Sequence, residues 1–385
     1  MKITTWICGL LLSVAASTPA LAWEYQGHQM VGAIADQILV GDAYANARQK
    51  VKEILGFTLQ EAAPWPDCVR SVVHKDDGSF SYLPSPLHPS YRIPCKPFET
   101  QVGSPEPSQP SAEQRRMEDY AKRNWYNCTY IISARGTPGG CHQAFHFADV
   151  AIQRDSVAIQ RDSYDRRYVG TGDHDIVSAI NACIAVLQDR PVPSPFFIKD
   201  KKEALFLLAH FVGDIHQPLH VGAVYLDSKG ERVDPDKTGL DPDTETRGGN
   251  AIYMGYKEVG DDITVEEPNL HAQWDEIPKE WGVTPDAAML EKAKSIAKSI
   301  QPTPETIKDW AAIWASETLK QAQAAFKDLT FSLVPKDPKF PDALPRWIVH
   351  FPDKEAYDRD AKKTKRTQLA TGGARLAHLL KAIWP

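Results

Sequence analysis

Residues 28–55, HQMVGAIADQILVGDAYANARQKVKEIL, place apolar side chains at helical spacing with no internal proline, which predicts one long helix. The same periodicity predicts helices over 113–133, 143–163, 174–189, 199–217, 285–300, 304–327 and 366–383. Strand signals are few. The clearest is AIYMGY at 251–256, entered through Gly-Gly-Asn. Three stretches lack either period: 84–110 with eight prolines, the acidic 226–249, and the proline- and charge-rich 334–365. The first has a composition expected to form neither helix nor sheet. None separates two self-sufficient halves, so the pattern predicts a mainly α, single-domain fold with long loops. The heptad VAIQRDS occurs in tandem at 150–156 and 157–163. Seven residues are about two helical turns, so the duplication is expected to lengthen a helix while keeping its apolar face.

The first 22 residues follow a different pattern. Lys2, the apolar run WICGLLLSVAA and Ala20-Leu21-Ala22 read as a secretory signal, with a core too short to cross a bilayer. The expected mature chain runs from Trp23 to residue 385 as one catalytic domain, exported to a periplasm or the outside. No later segment reads as a membrane span; ALFLLAHFVG (204–213) is short and holds a histidine. The formal net charge of -6 argues against a purely basic nucleic-acid surface. It leaves open a phosphate site whose positive charge comes from metal ions. Five cysteines follow the leader: Cys68, Cys95, Cys128, Cys141 and Cys183. With no C-x-x-C spacing and an exported destination, two bridges and one buried thiol are expected, their pairing open.

The chemistry concentrates in LLAHFVGDIHQPLH (207–220). His210 and Asp214 are four apart, so on a helix they leave the same face and can grip one ion. His216 points elsewhere, and Pro218 ends the helix so that His220 can swing away from it. The pattern recurs in NLHAQWDEIP (269–278) with His271 and Asp275. His220, His271 and Asp275 make a zinc-type nitrogen and oxygen set. Further candidates are Asp67 and Arg70 in PWPDCVR, His142 and His146 in CHQAFHFAD, and His28 in WEYQGHQ. His74, His88, His174, His350 and His378 lie in loops or on ordinary faces.

Taken in order, Trp23 at a processed N-terminus, His28, W-x-D-x-x-R, H-F-x-D, H-F-x-G-D-x-x-Q-P-L-H, G-G-N and N-L-H-x-x-W-D resemble the zinc-dependent single-strand nucleases of the S1/P1 type. QLATGGARLAHLL (368–380) resembles that family's last helix. The resemblance implies a helical phospholipase C/P1 nuclease-like fold with three zinc ions. Asp67, His146, His210 and Asp214 would hold the first; His220, His271 and Asp275 the second. The amino nitrogen and carbonyl oxygen of Trp23, with His28 and a bridging Asp214, would hold the third. It implies hydrolysis of single-stranded DNA and RNA to 5′-phosphates, with 3′-nucleotidase activity. Asp67 would orient water or accept its proton, and Arg70 would neutralise phosphoryl charge or simply pair with Asp67. Phe147 and Asp149 would stack on and hydrogen-bond a nucleobase, with Asn250 a phosphate or supporting contact. No obligate protein partner is inferred. The gap between Asp67 and His146 is longer than the family usually shows, which makes His88 and His142 rivals to His146. Two other readings stay open: a phospholipase C-like lipid phosphodiesterase, and an exported zinc-binding protein without catalysis.

Overall fold

The computed structural model describes residues 23–83, 89–99, 110–126, 128, 140–153, 162–260, 262–266, 268–300, 306–339 and 343–385. The expected leader and its cleavage site, and His88, fall outside them. The long helix expected over 28–55 is two helices, α1 (Tyr25–Leu39) and α2 (Ala45–Leu55), parted by a short 3-10 turn at Asp42–Tyr44. The turn residues Gly41 and Asp42 outweigh the apolar period there. Two short helices follow, α3 (Leu59–Ala62) and α4 (Trp65–Val69). Thr58 and Glu61 start α3 with reciprocal caps. A hairpin of β1 (Val72–His74) and β2 (Phe80–Tyr82) comes next.

The proline-rich segment corrects its expectation, because Pro89–Glu99 is a helix, α5, with Pro94 and Pro97 inside it. A disulfide from Cys95 to Cys68 of α4 ties it down, and buried Phe98 packs edge-on against Phe206. Helix α6 (Ala112–Arg123) stops ten residues short of its expected end. The helix expected over 143–163 is absent from its described part. Cys141–His146 form a 3-10 turn, and Val150–Ala151 are a strand, β3, parallel to β4 (Gly222–Ala223). Val150 N–H donates to Val221 O at 3.0 Å and Ile152 N–H to Ala223 O at 2.8 Å, bonds that a helix would forgo. The first heptad copy therefore begins as strand, and most of the rest of the duplication lies outside the described residues.

Helices α7 (Ile176–Leu187) and α8 (Lys201–Asp214) open with Asp175 and Asp200 as side-chain caps. From Glu203 to Asp214 every residue of α8 is buried, which makes it the central helix. The acidic stretch 226–249 holds only a four-residue helix, α9 (Pro235–Thr238), and a 3-10 turn. Strand β5 (Ile252–Tyr253) falls within the expected 251–256, followed by the hairpin β6 (Tyr256–Val259) and β7 (Asp262–Val265). Then come α10 (Leu270–Asp275), α11 (Ala287–Ser299), α12 (Trp310–Phe326) and β8 (Thr330–Leu333). Residues 334–365, read as loop, contain β9 (Trp347–His350), which bridges β5 and β8, and the start of α13 (Lys354–Ile383). The mainly α architecture stands as predicted.

Helix α13 packs closely along α1. A Cβ at Gly373 would fall 2.5 Å from Cβ of Ile34, so only glycine admits this crossing. The cysteines pair as Cys68–Cys95 and Cys128–Cys141, with Cys183 a buried thiol. Among the described residues no helix is long and apolar enough to cross a membrane.

Candidate metal centre

Four helices and two tight turns deliver the predicted residues to one place. α1 brings His28, α4 brings Asp67, α8 brings His210 and Asp214, and α10 brings His271 and Asp275. His146 and His220 each close a 3-10 turn. Three groups form, with ligand atoms within 4.8 Å of one another in each: His28, His210 and Asp214; Asp67, His146 and His210; His220, His271 and Asp275. All eight side chains are buried. Asp214 faces both ways. Its Oδ1 lies 3.3 Å from His28 Nε2, and its Oδ2 lies 3.0 Å from His146 Nδ1 and 3.1 Å from His210 Nε2. His210 Nε2 is 3.7 Å from Asp67 Oδ1, and His271 Nε2 is 3.6 Å from Asp275 Oδ2. The rings of His28 and His210 stack at 3.6 Å.

The protonation pattern fits a cation. His210 Nδ1 donates to Ala63 O at 2.8 Å, His220 Nδ1 to His146 O at 2.7 Å, and His271 Nδ1 to Gly248 O at 2.7 Å. A carbonyl only accepts, so each bond fixes the proton on Nδ1 and leaves a lone pair on Nε2. Those lone pairs then face other nitrogens: His271 Nε2 and His220 Nε2 are 3.1 Å apart, and His210 Nε2 and His146 Nδ1 are 3.0 Å apart. Burial holds His146 and His220 well below the usual imidazole range and His271 down to about 4, so the rings are neutral and the His220–His271 pair has no ring proton between its nitrogens. Burial also pushes the carboxyls of Asp214 and Asp275 well above theirs. No hydrogen bond reaches Asp214 Oδ1 or Asp275 Oδ2. A divalent ion satisfies both lone pairs and carboxylates at once, so the donors present fit zinc.

The segment at Trp23 is pinned beside this centre. Its buried indole donates to Gly213 O at 2.9 Å, and Glu24 N–H donates to Asp275 O at 3.1 Å. The first described residue thus lies between the ends of α8 and α10. Arg70 caps α4, with its guanidinium 3.8 Å from Asp67 Oδ1. Phe147, expected on a helix, follows His146 in extended backbone and is 38% exposed. Asp149 sits nearby, its carboxyl pushed up to about 8 by burial and then by Glu245, against Arg247. Asn250 donates to Arg247 O at 2.8 Å, in the turn whose Gly248 carbonyl holds His271. Gly248 has φ of 58°, and a Cβ there would meet Leu219 O at 2.3 Å.

His142 joins none of the groups; its buried ring lies beside Trp125 and Tyr120. His216 is likewise outside them. It donates from Nδ1 to Val212 O at 2.7 Å and accepts from Arg375 at 3.0 Å. Sequence reasoning missed two supports. Gln217 donates to Asp275 Oδ1 at 2.7 Å; its place in the Q-P-L-H motif was the available signal. Lys365 of α13, largely buried, donates to Gln273 O at 2.5 Å and Glu276 O at 2.7 Å, closing the end of α10. Nothing in its charged surroundings marks it.

A 130-residue stretch is 29% identical to Endonuclease 1 of Arabidopsis thaliana, covering 34% of this chain and 33% of that protein. The chain thus spans about a third of that relative's length. The profile of the S1/P1 Nuclease family matches residues 112–385. That match holds His146, His210, Asp214, His220, His271 and Asp275, while Trp23, His28, Asp67 and Arg70 lie before it. The fold brings His28 and Asp67 into the same groups as the matched residues, and the chain belongs to the S1/P1 nuclease family.

Proposed function

We propose that the chain is processed after Ala22, exported, and acts as a zinc-dependent phosphodiesterase. It would hydrolyse single-stranded DNA and RNA to 5′-phosphorylated products and remove phosphate from 3′-nucleotides. The observation that carries this reading is the convergence of three histidine and aspartate groups, two of them sharing His210. On this reading three zinc ions are held as the resemblance implies, with the backbone of Trp23 completing the set around His28 and Asp214. Two disulfides suit an oxidising destination.

Zinc in such a site supplies Lewis-acid stabilisation of phosphoryl charge and acidifies water near neutral pH. The chain's own groups do the rest. Asp67 orients the attacking water or takes its proton. Arg70, held at 3.8 Å from Asp67, neutralises charge building on phosphorus. Phe147 offers an exposed ring to a splayed base, which a duplex would hide. Asp149, with its carboxyl raised to about 8, can donate to that base at neutral pH as well as accept.

The test is a metal count on the purified chain with turnover on RNA, a 3′-mononucleotide and phosphatidylcholine. Expected are three zinc ions per chain and hydrolysis of the first two substrates, abolished by chelation and restored by zinc. Hydrolysis of the lipid alone would establish the phospholipase C-like reading. Zinc binding with no turnover would leave a non-catalytic exported zinc-binding protein.

A further inference from the structure

The hairpin β1–β2 starts two residues after Arg70 and carries an aromatic face that the centre above does not use. Its inner rung, Val72 opposite Tyr82, is buried, and its outer rung is His74 opposite Phe80. Those two rings stack at 4.6 Å. Trp125, just past α6, lies 5.2 Å from Phe80 and 5.6 Å from His74, and Tyr126 stands edge-on to His74 at 6.1 Å. Tyr126 is 61% exposed. The array joins the metal centre twice. His74 is four residues beyond Arg70, at most about 13 Å along extended chain. Trp125 touches His142, whose 3-10 turn ends at His146.

We propose that His74, Phe80, Trp125 and Tyr126 form a second stacking platform for bases that flank the reacting phosphate of a single strand. The inference rests on the nuclease reading. A cluster serving only to fasten the hairpin would close its rings inward, as Val72 and Tyr82 do; this one leaves its outermost ring open. Exposed aromatic faces beside a phosphate site suit unpaired bases of any sequence, because every base has a π-face. Arg70 at the inner end and Lys75 past His74 favour an anionic strand, and Asp76 and Asp77 at the hairpin tip mark where it would leave. Thymidylates of increasing length are therefore the probe, because only a longer strand reaches the platform.

The zinc-loaded full chain is assayed on a thymidine dinucleotide and octanucleotide, as wild type, Tyr126→Ala, His74→Ala and Tyr126→Phe. Phe197→Ala, an exposed aromatic that bonds to Asn124 through its backbone and stacks on none of the four rings, is the control. For the two alanine variants the KM of the octanucleotide should rise about five- to hundredfold, far more than that of the dinucleotide, with kcat steady. Tyr126→Phe and Phe197→Ala should match wild type. Equal effects at both lengths, or none, would overturn the platform. Wild type that cleaves neither oligonucleotide would overturn the nuclease reading, and the platform with it.

Discussion

Asp214 uses one oxygen for His28 and the other for His146 and His210. A side chain facing two ion positions couples their occupancy. On the three-zinc reading proposed above, Asp214→Ala should therefore cost two zinc ions together and lower activity by more than about 100-fold, the upper range for disturbing a group behind a ligand. Elemental analysis showing all three retained would contradict the bridge. This residue was readable from the sequence because four-residue spacing after His210 puts both on one helical face. The same held for His271 and Asp275. His146 was harder: His142, four residues earlier, offered the same chemistry, and only the fold shows its ring turned toward Trp125. Lys365 was not readable at all. Its function comes from which carbonyls lie under it, and those belong to a helix some ninety residues earlier.

Elements were legible where apolar period and capping agreed, as in α7 and α8. They were not where tertiary pairing overrode local preference. Val150 and Ile152 sit in a helical period yet donate to Val221 and Ala223, and α5 persists around Pro94 and Pro97 because a disulfide and Phe98 fasten it. One contact between elements carries a pH signature. Asp36 of α1 accepts the N–H groups of Leu59 and Gln60 at 3.1 and 3.0 Å, capping α3. Burial nevertheless raises its carboxyl from 3.8 to about 6. The folded chain therefore binds that proton more tightly than the unfolded one. The resulting stabilisation is full below 3.8 and lost as pH rises through about 6. Wild type should lose on the order of 2–3 kcal/mol relative to Asp36→Asn between pH 3.5 and 7, read from denaturant unfolding at each pH. A difference that stays flat across that range would refute the assignment.

At the scale of the whole molecule, the centre is where α1, α4, α8 and α10 meet, and its buried carboxyls and facing lone pairs would make bound ions part of the fold. A ligand present at a thousandfold excess over its Kd adds about 4 kcal/mol of stability. Removing zinc with a chelator should therefore lower Tm by about 5 °C, measured by differential scanning calorimetry with zinc restored as control. An unchanged melting curve would mean the centre is not structural. The family match begins at residue 112, after His28 and Asp67, so the sequence alone could place these residues only by motif; the fold supplies their position.

The crossing at Gly373 has a consequence for how the molecule is made. α1 is among the earliest segments to leave the ribosome, yet the surface it packs on belongs to α13, which is synthesised more than 300 residues later. A growing polypeptide can seat α1 on α3 early, but the face of α1 that meets α13 stays uncovered for most of translation. The α13 side of the helix that carries His28 is thus covered only once nearly the whole polypeptide has been made.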